Sequence, residues 1–230
     1  MSLPRILVKK ITNYGKNNSI GSRFRAKRIQ PLMNMIDVVF NKYGFVDIVD
    51  VGGTDTYWNI VPGHYLDDHN VTVTIVNLPG VNPPEDYGRY KFIDADACNL
   101  DIFPKNKFHI AHSNSVVEHV GDWERMLQFA NEISRIAEFY FVQTPNFWFP
   151  LEPHCMTPFF HWLPKPIRVW MVLHFQLGHW EKANSISEAV RSVEGARLVD
   201  KNMFQELFKD GSIQIERLFL LPKSFIAIRK

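Results

Sequence analysis

Residues 45–51 (FVDIVDV) run straight into Gly52-Gly53, and this junction constrains the chain more than any other feature. A β-branched run without polar alternation reads as a strand covered on both faces, the habit of parallel sheets. Glycines placed directly after such a strand let backbone approach a ligand closely, and the helix N-terminus that follows presents free N–H donors. Residues 71–77 repeat the strand pattern, as do 90–93, which lead into Asp94-Ala95-Asp96. Residues 108–113 and 139–143 repeat it again, the latter ending at Thr144-Pro145-Asn146. Strands that alternate with crossovers predict an α/β fold, a mostly parallel sheet with helices on both faces.

Between the strands the period changes to helical. Phe24, Ile29, Leu32, Met33, Ile36, Val39 and Phe40 predict a helix over 22–43, kinked or restarted at Pro31 and closed by Gly44. The clearest helix starts at an Asp122 N-cap, with Glu124 in its first turn. It carries Trp123, Met126, Leu127, Ala130, Ile133, Ile136 and Ala137 as one stripe. After Asn146 the pattern breaks. Residues 147–184, rich in Phe, Trp, Pro and His, read as a cap insertion, with Phe147, Trp148, Phe149, Phe159, Phe160 and Trp162 expected mostly in its core. Ser185 with Glu188 makes a capping box, and Asp200 caps a further helix. Residues 213–221 and 224–228 are expected as an antiparallel strand pair turned at Pro222-Lys223. One domain is expected over 1–230, comprising a basic arm and helix (1–43), the sheet and the cap.

Composition narrows the class. A chain of 230 residues with 46% hydrophobic and 22% charged residues has enough core to fold without a disulfide framework. The two cysteines, Cys98 and Cys155, form no CxxC pair and suit a reducing compartment, so the expected location is cytoplasmic. The N-terminus lacks a secretory cleavage pattern. No stretch reaches the about 20 apolar residues of a membrane span, since residues 167–180 are short and include Arg168 and His174. The net charge is +2, yet Arg5, Lys9, Lys10, Lys16, Arg23, Arg25, Lys27 and Arg28 precede any acidic residue. Such an arm reads as a solvated lead-in whose last arginines close over a substrate pocket. Contact with nucleic acid or a membrane surface is the alternative, although the aromatics and motifs of a nucleic-acid module are missing from it.

Ligands of open α/β sheets bind outside the carboxyl ends of the strands. Those ends here carry Gly52-Gly53, Asn77, Asp94 and Asp96, Ser113-Asn114-Ser115, and Thr144 to Asn146. Asp50, inside the first strand, is expected to hydrogen-bond the amides of the glycine turn. A dinucleotide turn needs GxGxxG and an acidic residue after the second strand. GGTDTY lacks the third glycine and Asn77 takes the acidic place, which disfavours NAD. No GxxxxGK[ST] occurs.

In combination, VDIVDVGGTDTYW, VTIVNLPG, FIDADACNLDIF and FHIAHSNSVVEHVGDWERML resemble the class I S-adenosylmethionine-dependent methyltransferases over residues 45–145. The resemblance implies a Rossmann-like seven-stranded sheet with an antiparallel last strand, and S-adenosylmethionine as cofactor along strands one to four. It implies that Gly52, Gly53 and Thr54 line the methionine and ribose, with Asn77 on the ribose and Leu78 on the adenine. Asp96 and Ala97 would take the adenine edge, and Ser113 and Asn114 the methionine end. The turn departs from the usual GxGxG, and His109 replaces a usual aspartate at a place outside the pocket. His119, in an EH pair with Glu118, would stand near the transferred methyl, with a packed structural residue orienting the loop as the alternative, and His154 is a further catalytic candidate. Glu152, His161 and Trp148 in the cap would meet the acceptor, a small molecule or glycan. Glu152, His154 and His161 do not match an established zinc spacing, and no metal is expected. A nucleic-acid or lipid-linked acceptor, or a non-catalytic binding protein on the same fold, is the alternative.

Overall fold

The computed structural model describes residues 20–80 and 84–230, with side chains of the first helix from Arg28 onward. The basic arm before residue 20 and the side chains of Arg23, Arg25 and Lys27 lie outside the described residues. The sheet has seven strands in the order β3-β2-β1-β4-β5-β7-β6. These are β1 (Val46–Val51), β2 (Val71–Asn77), β3 (Tyr90–Asp94), β4 (Phe108–Asn114), β5 (Ala137–Pro145), β6 (Ser212–Leu218) and β7 (Leu221–Arg229). The first five are parallel, and β7 runs antiparallel to both β5 and β6. The expected sheet is therefore observed.

Alternate residues of each strand feed two cores. Val46 and Ile48 of β1, Ile110 of β4, and Phe139 and Phe141 of β5 face the first helix, α1 (Ile20–Tyr43). A 3-10 turn over Asp55–Ile60 and α2 (Gly63–Asp68) complete that side, with Trp58 and Leu66 buried in it. Val49, Val51, Ala111 and Val142 face α3 (Trp123–Ile136) and α6 (Lys201–Leu207). Helix α1 runs through Pro31 without a restart. Gly44 ends it at φ +77°, where its N–H reaches the Phe40 carbonyl at 2.8 Å. The Asp122, Ser185 and Asp200 caps form as expected, each side chain accepting from a backbone N–H three residues on.

The cap has its own small core. Cys155, Phe160, Val172 of α4 (Lys165–His174), Leu177 and Ala183 pack with Ala189 and Val193 of α5 (Ile186–Glu194). The packed unit thus runs past residue 184, because α5 closes over α4. Of the six cap aromatics expected mostly inside, only Phe160 is buried, and Trp148, Phe159 and Trp162 are exposed. Those rings were too many for so short a segment to cover. The strand-pair turn also moves. It lies at Phe219-Leu220, with Phe219 at φ +55°, and Pro222 stands inside β7 beside a register shift in β6. A bulge tolerates proline because the missing N–H leaves no ladder bond broken. No helix of the described residues is long and apolar enough to cross a membrane.

Ile133 is fully buried between α3 and the sheet. Ile133→Ala is expected to cost about 2–5 kcal/mol in urea unfolding. Ile102→Ala, at a side chain 60% exposed, should stay within about 0.5 kcal/mol.

Candidate active site

Parallel register brings the expected residues to one edge. Val51 pairs with Val76, Asn77 with Asp94, and Asp50 with His112, so the residues just beyond them share the carboxyl end. Gly52 adopts φ +75°, and a Cβ there would come within 2.5 Å of Val116 Cγ2. A Cβ on Gly53 would overlap the Asp50 carboxylate. Gly52 is thus required by its backbone conformation and by Val116, and Gly53 by the Asp50 side chain. Around them Thr54, Asn77 and Leu78 are exposed, so the edge is open. The Asn77 Nδ2 donates to the Gly53 carbonyl at 3.1 Å, which pins the turn to β2.

Asp50 does something other than cap the turn amides. It is fully buried. Its Oδ2 accepts from the Trp58 indole N–H at 2.9 Å, and its Oδ1 lies 2.6 Å from His112 Nδ1. His112 Nε2 in turn meets the Tyr57 hydroxyl at 3.2 Å, and burial pushes the Tyr57 phenol well above its ordinary value. The expectation failed because the amide donors had competitors. Trp58 and His112 arrive from the 3-10 turn and from β4, neither visible from the strand alone. Ser113 likewise turns inward, its hydroxyl donating to the Val51 carbonyl at 2.9 Å with no exposure. It braces β1 against β4. Asn114 stays at the edge, where its Oδ1 meets Arg28 at 3.4 Å. Arg28 itself is held by Glu216 in a two-pronged pair of 2.7 and 3.0 Å.

Asp96 remains available on a different footing. Arg125 Nη2 reaches both its oxygens at 2.9 Å, and the Cys98 amide donates to Oδ1 at 2.9 Å. Burial works against its charge, but these donors outweigh it and hold the carboxyl below the usual range. Oδ2 carries one partner and keeps capacity for a second donor. Ala97 is half-buried beside it.

A second centre lies on the β4–α3 connection. Val116, the residue against Gly52, begins a turn that presents Glu118 and His119. His119 Nδ1 meets the Gly195 carbonyl at 2.6 Å. His154, from the cap, places Nδ1 2.7 Å from Glu152 Oε1 and Nε2 3.0 Å from His119 Nε2. Burial opposes ionisation of Glu152, yet the His154 ring and the Cys155 amide hold its carboxyl below the usual range. Burial lowers His119, and it would lower His154 too, but Glu152 raises the latter above its ordinary value. Glu118 is 1% exposed; Oε2 accepts from Thr144 Oγ1 at 3.0 Å, while Oε1 has no partner among the described residues. Burial pushes its carboxyl up to about 7.

A cavity of about 360 Å³ shares Glu152 with this centre and is walled further by Phe160, His161, Arg168, Glu194, Ala196 and Arg197, while Glu118, His119 and His154 are not part of its wall. His161 Nε2 is committed to the Phe147 carbonyl at 2.7 Å, leaving Nδ1 without a partner, and Arg168 Nε is unpartnered as well. Trp148 stands apart, 61% exposed and outside this cavity's wall. Sequence reasoning missed His112, Arg125, Arg168 and the part of Glu118. Only Glu118 had a signal, its place beside His119.

No protein-family model matches the chain, and no curated protein matches it. Solved structures do. A LepI variant in complex with S-adenosylhomocysteine and a substrate analogue superposes with a TM-score of 0.50 at 10% identity, covering 86% of this chain and 46% of that one. The likeness shows a shared fold, the seven-stranded, mostly parallel sheet with antiparallel last strands. An O-methyltransferase family protein from Burkholderia thailandensis gives 0.48 at 13% identity, over 89% of this chain and 57% of that one. The 1,6-didemethyltoxoflavin-N1-methyltransferase of the same organism, with its substrate and S-adenosylhomocysteine bound, gives 0.48 at 14%, over 87% and 76%. The chain therefore spans little more than half the length of the first of these and less than half of LepI.

Gly53→Ala is expected to destabilise the protein by about 1–3 kcal/mol, because the methyl has to displace the Asp50 carboxylate from its two partners. Gly63→Ala, with open space around its Cβ, should be close to neutral in the same urea titration.

Proposed function

We propose that this chain is an S-adenosylmethionine-dependent methyltransferase that acts on an oxygen of a small-molecule or glycan acceptor. The observation that carries the reading is the imidazole pair His119–His154 on the β4–α3 connection, whose Val116 packs against Gly52 of the glycine turn. The edge residues fit an adenosyl ligand. Gly52 and Gly53 leave room for close approach, the Asn77 side-chain oxygen can accept from a ribose hydroxyl, and Asp96 Oδ2 can accept from an exocyclic amine. LepI, which shares the fold, holds S-adenosylhomocysteine.

When bound, S-adenosylmethionine supplies an electrophilic methyl group on a sulfonium. The protein's part is alignment and proton handling, because an in-line displacement gains most from fixed geometry. Each ring uses Nδ1 as a donor, His119 to a carbonyl and His154 to a carboxylate, so each neutral ring turns an Nε2 lone pair toward the other. One proton fits between those atoms, and an acceptor hydroxyl is its source. The cavity beside Glu152 is large enough for a small polar acceptor. Arg168 Nε and His161 Nδ1 offer it unpaired polar groups.

S-adenosylhomocysteine should raise the melting temperature of the protein, and NAD should not, since a ligand that binds the native state stabilises it by mass action. No shift at millimolar S-adenosylhomocysteine would contradict the reading. With methyl-labelled cofactor and an extract of metabolites and glycans as acceptor, His119→Ala should lower turnover roughly 100-fold or more while the homocysteine shift persists. Undiminished turnover would make His119 structural. Asp96→Ala should weaken S-adenosylhomocysteine binding, and unchanged affinity would put the adenine elsewhere.

A further inference from the structure

We propose that Glu118, His119 and His154 form a binding site for a divalent transition-metal ion, zinc or a cation of similar preference. One carboxylate oxygen of Glu118 and one ring nitrogen of each histidine lie within 4.8 Å of one another. The sequence pointed to a different trio, Glu152, His154 and His161, for which no metal was expected. The fold separates that trio. His161 gives Nε2 to the Phe147 carbonyl, and Glu152 takes the far nitrogen of His154. A turn after β4 and a turn of the cap then bring Glu118 and His119 to His154 across 35 residues of sequence.

Three features of this trio are those of a ligand set. The first is tautomer. The Gly195 carbonyl only accepts, so His119 Nδ1 carries the hydrogen, and the Glu152 carboxylate fixes His154 the same way. Metal-ligating histidines are oriented by such a carbonyl or carboxylate on the far nitrogen. Both Nε2 atoms are therefore left free of hydrogen, 3.0 Å apart, where a proton or a cation can be taken. The second is spacing. Two nitrogens bound at about 2.1 Å stand roughly 3.0–3.4 Å apart for angles from a right angle to tetrahedral, so the observed 3.0 Å lies at the short end of that range. The third is the orphaned oxygen of Glu118, at a side chain 1% exposed. Burial disfavours the charge of this carboxyl, and a cation at the orphaned oxygen would offset that penalty. Two histidines and one carboxylate leave further coordination positions open, and imidazole ligands suit zinc, iron, nickel and copper. His119 is exposed, so those positions face solvent. The ligand set stands on geometry alone. The ion's role rests on the methyl-transfer reading, in which it would hold the acceptor oxygen and lower its pKa so that the hydroxyl proton leaves to solvent, the histidines then serving as ligands and not as the proton's acceptor.

The test uses the full chain stripped of metal by chelator and titrated with Co²⁺. One Co²⁺ per chain should bind with visible ligand-field absorption, be displaced by Zn²⁺, and raise the melting temperature. His154→Ala and Glu118→Gln should weaken Co²⁺ binding roughly 100-fold or more, and Glu152→Gln roughly 10–100-fold by freeing the His154 ring. His69→Ala, on the other side of the sheet, should leave it unchanged. Absence of saturable Co²⁺ binding by the wild-type chain, or binding that survives both ligand variants, would overturn the site and leave a shared proton only. The wild-type titration needs no variant to fold. S-adenosylhomocysteine binding without Co²⁺ binding overturns the metal site alone, while Co²⁺ binding without S-adenosylhomocysteine binding overturns the proposed function and keeps the site.

Discussion

The carboxylate of Asp50 is the fixed point of this structure. It lies where a side chain on Gly53 would have to be, and it is gripped by the Trp58 indole on one oxygen and the His112 ring on the other. A buried carboxylate is tolerable only when its lone pairs are filled. Those two bonds tie β1, the 3-10 turn and β4 into one unit, and Tyr57 closes the chain of contacts on His112. The bare glycine turn above is a consequence. Its shape is held from below by a charge that has no other way to be satisfied. Among the described residues, Val116 packs closely over Gly52.

Val116 connects that unit to the second centre. Three residues on, His119 meets a ring delivered by the cap, and the cap's own core of Phe160, Val172 and Val193 holds the delivering segment. The two centres have opposite electrostatic characters. Asp96 is pinned as an anion by Arg125 at the open edge, whereas Glu118 is buried with an empty oxygen and pushed upward in pKa. An adenosyl group suits the first and a proton or a cation the second.

The sheet was legible because burial on both faces leaves an unmistakable apolar run in each central strand, and the caps at Asp122, Ser185 and Asp200 were legible because a cap acts within three residues. Contacts that cross the fold were not. Nothing near Asp50 in sequence announces His112 as its partner, and nothing near Ser113 announces that the Val51 carbonyl takes its hydroxyl. The turn at Phe219-Leu220 was misread because Pro222 is a local turn signal that a bulge overrides. The cap was read correctly as a break in the pattern, yet which of its rings are covered depends on α4 and α5 folding back on it.

A crystal structure of the chain grown with S-adenosylhomocysteine tests the central claim most directly. The account predicts a nucleoside lying over Gly52-Gly53, its ribose hydroxyls at Asn77 and its adenine amine at Asp96. A nucleoside bound at another face of the sheet, with Asp50, Trp58 and His112 undisturbed and the glycine turn bare, would contradict it.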